Sequence, residues 1–403
     1  MGRTAASRRA FIVGGAVMTI ALLGWLVLAP SSSFDPLHTH HAAAATATGG
    51  IQPGAVGPRT RTYYIAAEEV DWDYAPDGRD RVAGEPYGED ADVFVAAGPG
   101  RIGTVYRKAL YREYTDGSFS SRKKRSGDDA YLGILGPVIR AQVGDTVKVV
   151  FKNRTSRPAS VHPHNVLYTK ANEGAPYSDG TSGSAKKDDG VPPGATYTYT
   201  WKVPERAGPG PGDASSILSM YHSHKAEVGD TYAGLIGPMI ITRAGWARAD
   251  GSPVDVDREI VNLFQVWDEN QSPYLDDNLA RMEPDPVLGP EELKGDDGFG
   301  ESNLMHAING YVYGNGPMAT MRLGQKVRWY EFSMGTEVDL HTPHIHGNVW
   351  TSAMGMRMDM AGLLPGEMVA MDMVADNPGI WLFHCHVNDH ITAGMITRYK
   401  VVA

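Results

Sequence analysis

A single cysteine stands among the 403 residues, so no intrachain disulfide framework staples the fold and the lone sulfur needs another purpose. Positive charge is also short: 37 Lys and Arg face 47 Asp and Glu, a formal net charge of −10. That balance argues against a general nucleic-acid binder, which wants basic stripes. Long helical periodicity is missing as well. From Tyr63 onward the chain runs in short β-like stretches between Gly, Pro and Asp turns, without a sustained 3.6-residue pattern. The 42% hydrophobic and 21% charged content is ordinary for a globular protein and speaks against wholesale disorder or a multi-span membrane protein. What is abundant is glycine (47) and proline (26), set among Val, Thr and Tyr, which favours strands and turns. The length suits two or three domains.

Residues 1–50 read as an address rather than a fold. Arg8-Arg9 precedes an apolar run from Phe11 to Ala29, the pattern of a twin-arginine export signal. The same run is just long enough to anchor the chain in a bilayer. Ala45-Thr46-Ala47 offers a small-residue cleavage pattern. The expected location is extracellular or at the cell surface, with membrane anchoring by residues 11–29 as the alternative to cleavage.

The remainder is a duplication. Gly144 and Gly324 each open a strand, and each strand is followed by a histidine pair, His162-Pro163-His164 and His344-Ile345-His346. Pro193-Gly194 and Pro365-Gly366 open another strand in each copy, which closes on His222-Ser223-His224 or His384-Cys385-His386. Two strand-rich units imply an all-β protein of two β-sandwiches, at 60–245 and 255–403. The linker is expected within 244–257, and Pro284–Ser302 as a surface loop of the second unit.

Of 14 histidines, His38, His40 and His41 fall in the address segment and His306 reads as a satisfied polar core residue. The other ten concentrate in the four motifs. Side chains at i and i+2 of a strand share a face, so the pairs yield four converging imidazoles per unit. Eight exceed what one zinc site uses and imply a multinuclear cluster, although imidazole alone does not choose among copper, zinc, iron and nickel. Cys385 must point away from His384 and His386. There it can join His341, His390 and Met395, the two-His, one-Cys, weak-Met set of a blue-copper site. The first unit has no counterpart: Ser223 stands for Cys385, Ala159 for His341, and Val228–Asp230 for His390.

These four motifs resemble the signatures of multicopper oxidases, and Tyr63–Pro76 also resembles ceruloplasmin and clotting-factor A domains. The likeness covers roughly residues 60–245 and 300–401. It is similar to two-domain laccases with type 1 copper only in the second cupredoxin domain. The resemblance implies cupredoxin-like Greek-key domains and four coppers per chain. Type 1 copper would sit on His341, Cys385, His390 and Met395, and type 2 on His162 and His344. The type 3 pair would take His164, His222, His224, His346, His384 and His386. It also implies a homotrimer with clusters between subunits. Asn165 departs from the glycine many relatives carry there, with little expected effect on metal content.

The implied reaction joins one-electron oxidation of a small reducing substrate, with Cys385 as the wire to the cluster, to four-electron reduction of O₂ to water. Asp389 is the candidate proton relay. Phenols and aromatic amines are the default substrates, and ferrous or cuprous ions the alternative. Met354, Met356, Met358 and Met360 alternate as if on one strand face, with Met368, Met371 and Met373 following. Glu337 and Asp339 could receive ions or be plain surface acids. A copper nitrite reductase or a non-enzymatic copper-binding module fits less well, because all eight cluster histidines are retained.

Overall fold

The computed structural model describes residues 51–403. The paired arginines, the apolar run 11–29 and the pattern at 45–47 lie outside the described residues. Gly49–Ala403 forms one compact unit, and among the described residues no helix is long and apolar enough to cross a membrane.

Eight strands precede the connection at 243–257: β1 (Thr60–Asp73), β2 (Val105–Tyr114), β3 (Ile139–Gln142), β4 (Thr146–Asn153), β5 (His162–Pro163), β6 (Thr196–Lys202), β7 (Ser216–His222) and β8 (Ile236–Thr242). Ten follow it: β9 (Arg258–Asp268), β10 (Leu304–Ile308), β11 (Ala319–Arg322), β12 (Lys326–Ser333), β13 (Pro343–Ile345), β14 (Trp350–Ser352), β15 (Arg357–Met358), β16 (Met368–Val374), β17 (Gly379–Cys385) and β18 (Ile396–Val402). The strands alternate as their sequences dictate. In β4, Val147, Val149 and Phe151 are buried while Lys148, Val150 and Lys152 face outward, the period of a pleated strand with one face on the core. Gly144 enters the preceding turn with φ +95° and Gly324 enters its counterpart with φ +83°, a conformation open to glycine because it lacks Cβ.

The duplication is complete at the level of topology. The sheet β3-β8-β7-β5 before the connection matches β11-β18-β17-β13 after it. In both, the first pairing is parallel and the other two are antiparallel. The opposing sheets also agree, β2-β1-β4-β6 against β10-β9-β12-β16, the latter extended by β14 and β15. The chain is therefore all-β with half-barrel sheets, as the sequence predicts. Trp201 fills the core of the first sheet pair, and Trp329 and Trp350 that of the second.

Nearly every residue of β9 is buried, because this strand lies where the two sheet pairs meet. Polar bonds hold that seam. Arg328 donates to the hydroxyls of Ser215 (2.7 Å) and Ser216 (2.6 Å), and Tyr330 shares a 2.7 Å hydrogen bond with Ser216. Arg140 pairs with Glu259 at 2.9 Å.

Two expectations need correction. Pro284–Ser302 is not a plain loop: it carries the short helices Pro290–Leu293 and Asp297–Ser302, whose Leu293 and Phe299 bury against Leu279. Nor do the four alternating methionines share a strand face. Met354 is at the tip of the β14–β15 hairpin, where Gly355 turns with φ +80°, and Met358 pairs with Trp350. Glycine inside the run breaks the strand that alternation suggested. Met371 and Met373 are core residues.

Asn165 and Gly347, which follow the two histidine pairs, both take left-handed backbone, with φ +68° and +71°. Asn tolerates that region. Gly347 has a second constraint, since a Cβ there would lie 2.4 Å from the Trp381 ring. Gly347→Ala should therefore lower unfolding free energy by about 1–3 kcal/mol, whereas Asn165→Gly should stay within about 0.5 kcal/mol of the parent. Urea denaturation of both variants measures the difference.

Candidate metal centre

Both H-x-H pairs of each half are brought side by side by strand register. His162 lies opposite His222 in the β5–β7 ladder, and His344 opposite His384 in the β13–β17 ladder. In the first quartet, His162 contacts the rings of His164, His222 and His224 at centroid distances of 5.4, 5.6 and 5.1 Å. In the second, His344 contacts His346, His384 and His386 at 4.7, 5.2 and 5.4 Å. The closest nitrogens are equivalent too: His164 Nε2 to His222 Nε2 is 3.0 Å and His346 Nε2 to His384 Nε2 is 3.1 Å.

Hydrogen bonds fix which nitrogen each ring presents. A carbonyl oxygen only accepts, so Nδ1 must carry the proton wherever it meets one. His162 Nδ1–H donates to Glu173 O (2.7 Å) and His344 Nδ1–H to Asp359 O (2.9 Å). His222 Nδ1–H donates to Ser223 O (3.0 Å) and His384 Nδ1–H to Cys385 O (2.8 Å). All four rings are thereby oriented with the lone pair on Nε2, the arrangement typical of a metal-ligating histidine.

The third constellation is buried. His341 Nδ1 and His390 Nδ1 lie 3.1 Å apart, and Cys385 Sγ is 3.9 and 3.5 Å from them. Met395 is fully buried, and its carbonyl accepts the Cys385 N–H at 3.0 Å. Thr342 N–H donates to Cys385 Sγ at 3.3 Å; burial pushes the thiol up, against this bond and one from the Val387 backbone. Here the free nitrogen is Nδ1, because His341 Nε2–H donates to Asp339 at 3.1 Å. Asp339 is fully buried and also accepts the N–H groups of Val266 (2.7 Å) and Thr336 (2.9 Å). Asp339 is thus no surface acid and no receiver of ions from solvent. Its role is to orient His341, which strand alternation could not reveal because the residue sits in a loop. Glu337 is exposed.

One thiolate-capable and two imidazole donors, with a buried methionine in the same core, suit a soft, redox-active ion. The Nε2 lone pairs of His162, His222, His344 and His384 suit copper equally. On donor chemistry the residues fit the group the motifs imply.

The first half fills the corresponding place with hydrogen bonds. Ala159 bridges Val191 just as His341 bridges Leu363, which confirms the predicted correspondence. Ser223 Oγ donates to Asp230 at 2.5 Å and accepts from Ser160 N–H at 3.0 Å. Asp230, on the helix Glu227–Ala233, stands where the second half has His390 on Asn388–Thr392. No softer ligand is left.

His306, which the sequence reads as a satisfied polar core residue, has a neighbour that the sequence does not announce. It is buried, but its ring packs on His390 at 5.2 Å, with Phe94 on its other side at 5.4 Å. Its Nδ1–H donates to Leu304 O at 2.9 Å, and among the described residues Nε2 makes no hydrogen bond. Asp389 is exposed at the start of Asn388–Thr392 and its charge acts on His306. Among the described residues Asp389 makes no hydrogen bond to a quartet histidine.

Fold and donor sets together define a cupredoxin-type protein with a buried Cys–His centre beside paired histidine quartets. Sequence patterns of the multicopper oxidases match residues 132–245 and 289–403. Ferroxidase HEPHL1 of Mus musculus is 45% identical over 352 residues, which cover 86% of this chain and 30% of that protein. Hephaestin of Mus musculus is 43% identical over 357 residues, 85% of this chain and 29% of that protein. Ceruloplasmin of Homo sapiens is 41% identical over 352 residues, 85% and 31% respectively. A multicopper oxidase crystal structure aligns with TM-score 0.51 at 18% identity, covering 85% of this chain and 89% of that one. The chain belongs to the multicopper oxidase family and is ceruloplasmin-related. It spans about 30% of the length of the curated relatives it matches.

Burial depresses the basicity of several of these rings: His222 and His390 fall to about 3, and His164 and His306 to about 4. Their folded values lie below the ordinary 6.5, so between roughly pH 6.5 and 3 the unfolded chain binds more protons. Their neutral state therefore favours the fold fully above pH 6.5, and that contribution is lost as pH falls. Copper-free protein should lose stability over this window with a slope up to ~1.4 kcal/mol per pH unit for each proton taken up. Denaturation midpoints from pH 7.5 to 4 measure it; copper-loaded protein should change less.

Proposed function

We propose that this chain is an oxidase of reduced metal ions, ferrous iron first, with O₂ as the electron acceptor. Four ferrous ions, one O₂ and four protons would give four ferric ions and two waters. The observation that carries the reading is His306, whose ring packs on His390 and feels the Asp389 charge, with no hydrogen bond at Nε2 among the described residues. Imidazole with carboxylate is a ligand set that suits a ferrous ion. The names of the relatives add to it, since ferroxidase is the printed activity of one of them. Phenol oxidation, the default of the two-domain laccase resemblance, has no comparable feature among the described residues and stands second.

In this reading His341, Cys385, His390 and Met395 hold type 1 copper, His162 and His344 type 2, and the other six quartet histidines the type 3 pair. Copper bound there supplies one-electron storage and the reduction of O₂. The chain's own part is positional. Asp339 orients His341, the four carbonyl acceptors orient the quartets, and burial of Cys385 and Met395 keeps water from the sulfur ligands. Asp389 directly precedes His390 in the chain, and its charge acts on His306. Its carboxylate serves ion capture or delivers protons, the relay the sequence suggested.

Each quartet is half a trinuclear site. Among the described residues no ring of one quartet touches a ring of the other, while His386 is exposed and the remaining outer rings are partly so. Val338, Leu340, Val349, Met354, Met356 and Leu364 are exposed apolar side chains in the segment that carries His344 and His346. We read 60–245 and 255–403 as cupredoxin domains that complete one another head to tail in a homotrimer. Export through the twin-arginine segment goes with this reading, since a folded chain would be carried.

His306→Gln should raise KM for ferrous iron at least ten-fold. It should leave the blue absorption and phenol turnover within about two-fold. Asp389→Asn separates its two roles: loss confined to ferrous oxidation means ion capture, and an equal loss with every reductant means proton delivery. Light scattering on copper-loaded, active protein should give three times the chain mass, and an active monomer would contradict the trimer.

A further inference from the structure

In a chain of net charge −10, one open cleft of about 760 Å³ is lined by six cations, Arg112, Arg122, Lys123, Lys124, Arg125 and Arg140, against three acids, Glu113, Asp129 and Asp250. It lies along β2 and β3, edge strands of the two sheets in the first half, and is closed by the segment 122–138. The acids are already committed. Glu113 pairs with Lys123 at 2.9 Å, Asp129 pairs with Arg258 at 3.1 Å, and Asp250 accepts from Ser252 at 2.7 Å. Arg122 and Arg140 are held from outside the cleft by Glu68 and Glu259.

Among the described residues, three cations of the cleft have no carboxylate partner. Arg125 is fixed in place by the carbonyls of Gly133, Leu135 and Gly136, so its charge is positioned but not neutralised. Lys124 is exposed. Arg112 is half-buried on β2 and, among the described residues, its guanidinium has no hydrogen-bond partner. Burial, then the charges of Arg125 and Arg122, hold it down to about 10. A guanidinium half out of water, repelled by two neighbours and bonded to nothing, is costly unless an anion completes it. Such a cluster would not be expected from the requirements of the fold, and it is far in charge from the rest of the surface.

We propose that this cleft binds a multivalent oxyanion, with Arg112 and Lys124 as its direct contacts and Arg125 as a fixed cation behind them. Phosphate and carboxylate compounds share the required chemistry. The volume admits a ligand well above the size of inorganic phosphate. The site is separate from the copper constellations, uses none of their residues, and does not depend on what the oxidase oxidises.

Isothermal titration of the copper-loaded protein at constant ionic strength tests it, with inorganic phosphate and tricarballylate as the two probes and sodium chloride as reference. One anion should bind per chain, and the tighter probe identifies the source. Arg112→Gln should weaken binding at least ten-fold while Lys187→Gln, an exposed lysine outside the cleft, leaves it unchanged. Arg112→Gln should also melt higher than the parent in chloride alone, since repulsion is relieved, and lose the anion-dependent rise in Tm. If that variant does not fold, Arg112→Lys and Lys124→Gln supply the comparison, each with several-fold weaker binding. No binding of either probe at 10 mM or so, or equal affinity in parent and Arg112 variants, would overturn the site.

Discussion

The metal centre depends on the two-residue alternation of β17. Because successive side chains take opposite faces, Cys385 turns into the second sandwich while His384 remains with the quartet on the other side. The same backbone serves both: Cys385 N–H donates to Met395 O, and Cys385 O accepts from His384 Nδ1–H. One covalent segment therefore belongs to two ligand sets, and neither can shift without the other. Slipping β17 by one residue in its ladder with β13 would exchange the faces and dissolve both.

Around that strand the chain spends its polar groups on orientation. Each half repeats the carbonyl acceptors that hold Nδ1–H of its ring pair, and the second half adds Asp339 for the opposite nitrogen of His341. Besides the added β14–β15 hairpin and the short helices between β9 and β10, the halves differ where the sulfur site would be. Ser223 and Asp230 close that space in the first half with a short hydrogen bond, so the shared topology carries different side-chain chemistry at this place.

Much of this was legible in the residues because strand periodicity and ligand chemistry are local. The H-x-H pairs, the turns at Gly144 and Gly324, and the counterpart roles of Ser223 and Ala159 all follow from spacing. What escaped depended on packing between distant segments. His306 lies 84 residues before its neighbour His390 in sequence, and nothing near it in the chain announces the contact. Asp339 looked like one of two acids ahead of His341, and only the approach of β9 makes it a buried acceptor. The methionine run misled for the opposite reason: its alternation was genuine, but Gly355 turned the chain before a strand could use it.

In the proposed trimer, the cluster histidines of one chain's first half would meet those of another chain's second half. Two variants, one His164→Ala and one His346→Ala, should each be inactive alone because every cluster lacks a ligand. Co-expressed in one cell, they should regain O₂ uptake, since the intact first half of one can meet the intact second half of the other. Mixed assemblies that form yet remain inactive would contradict it.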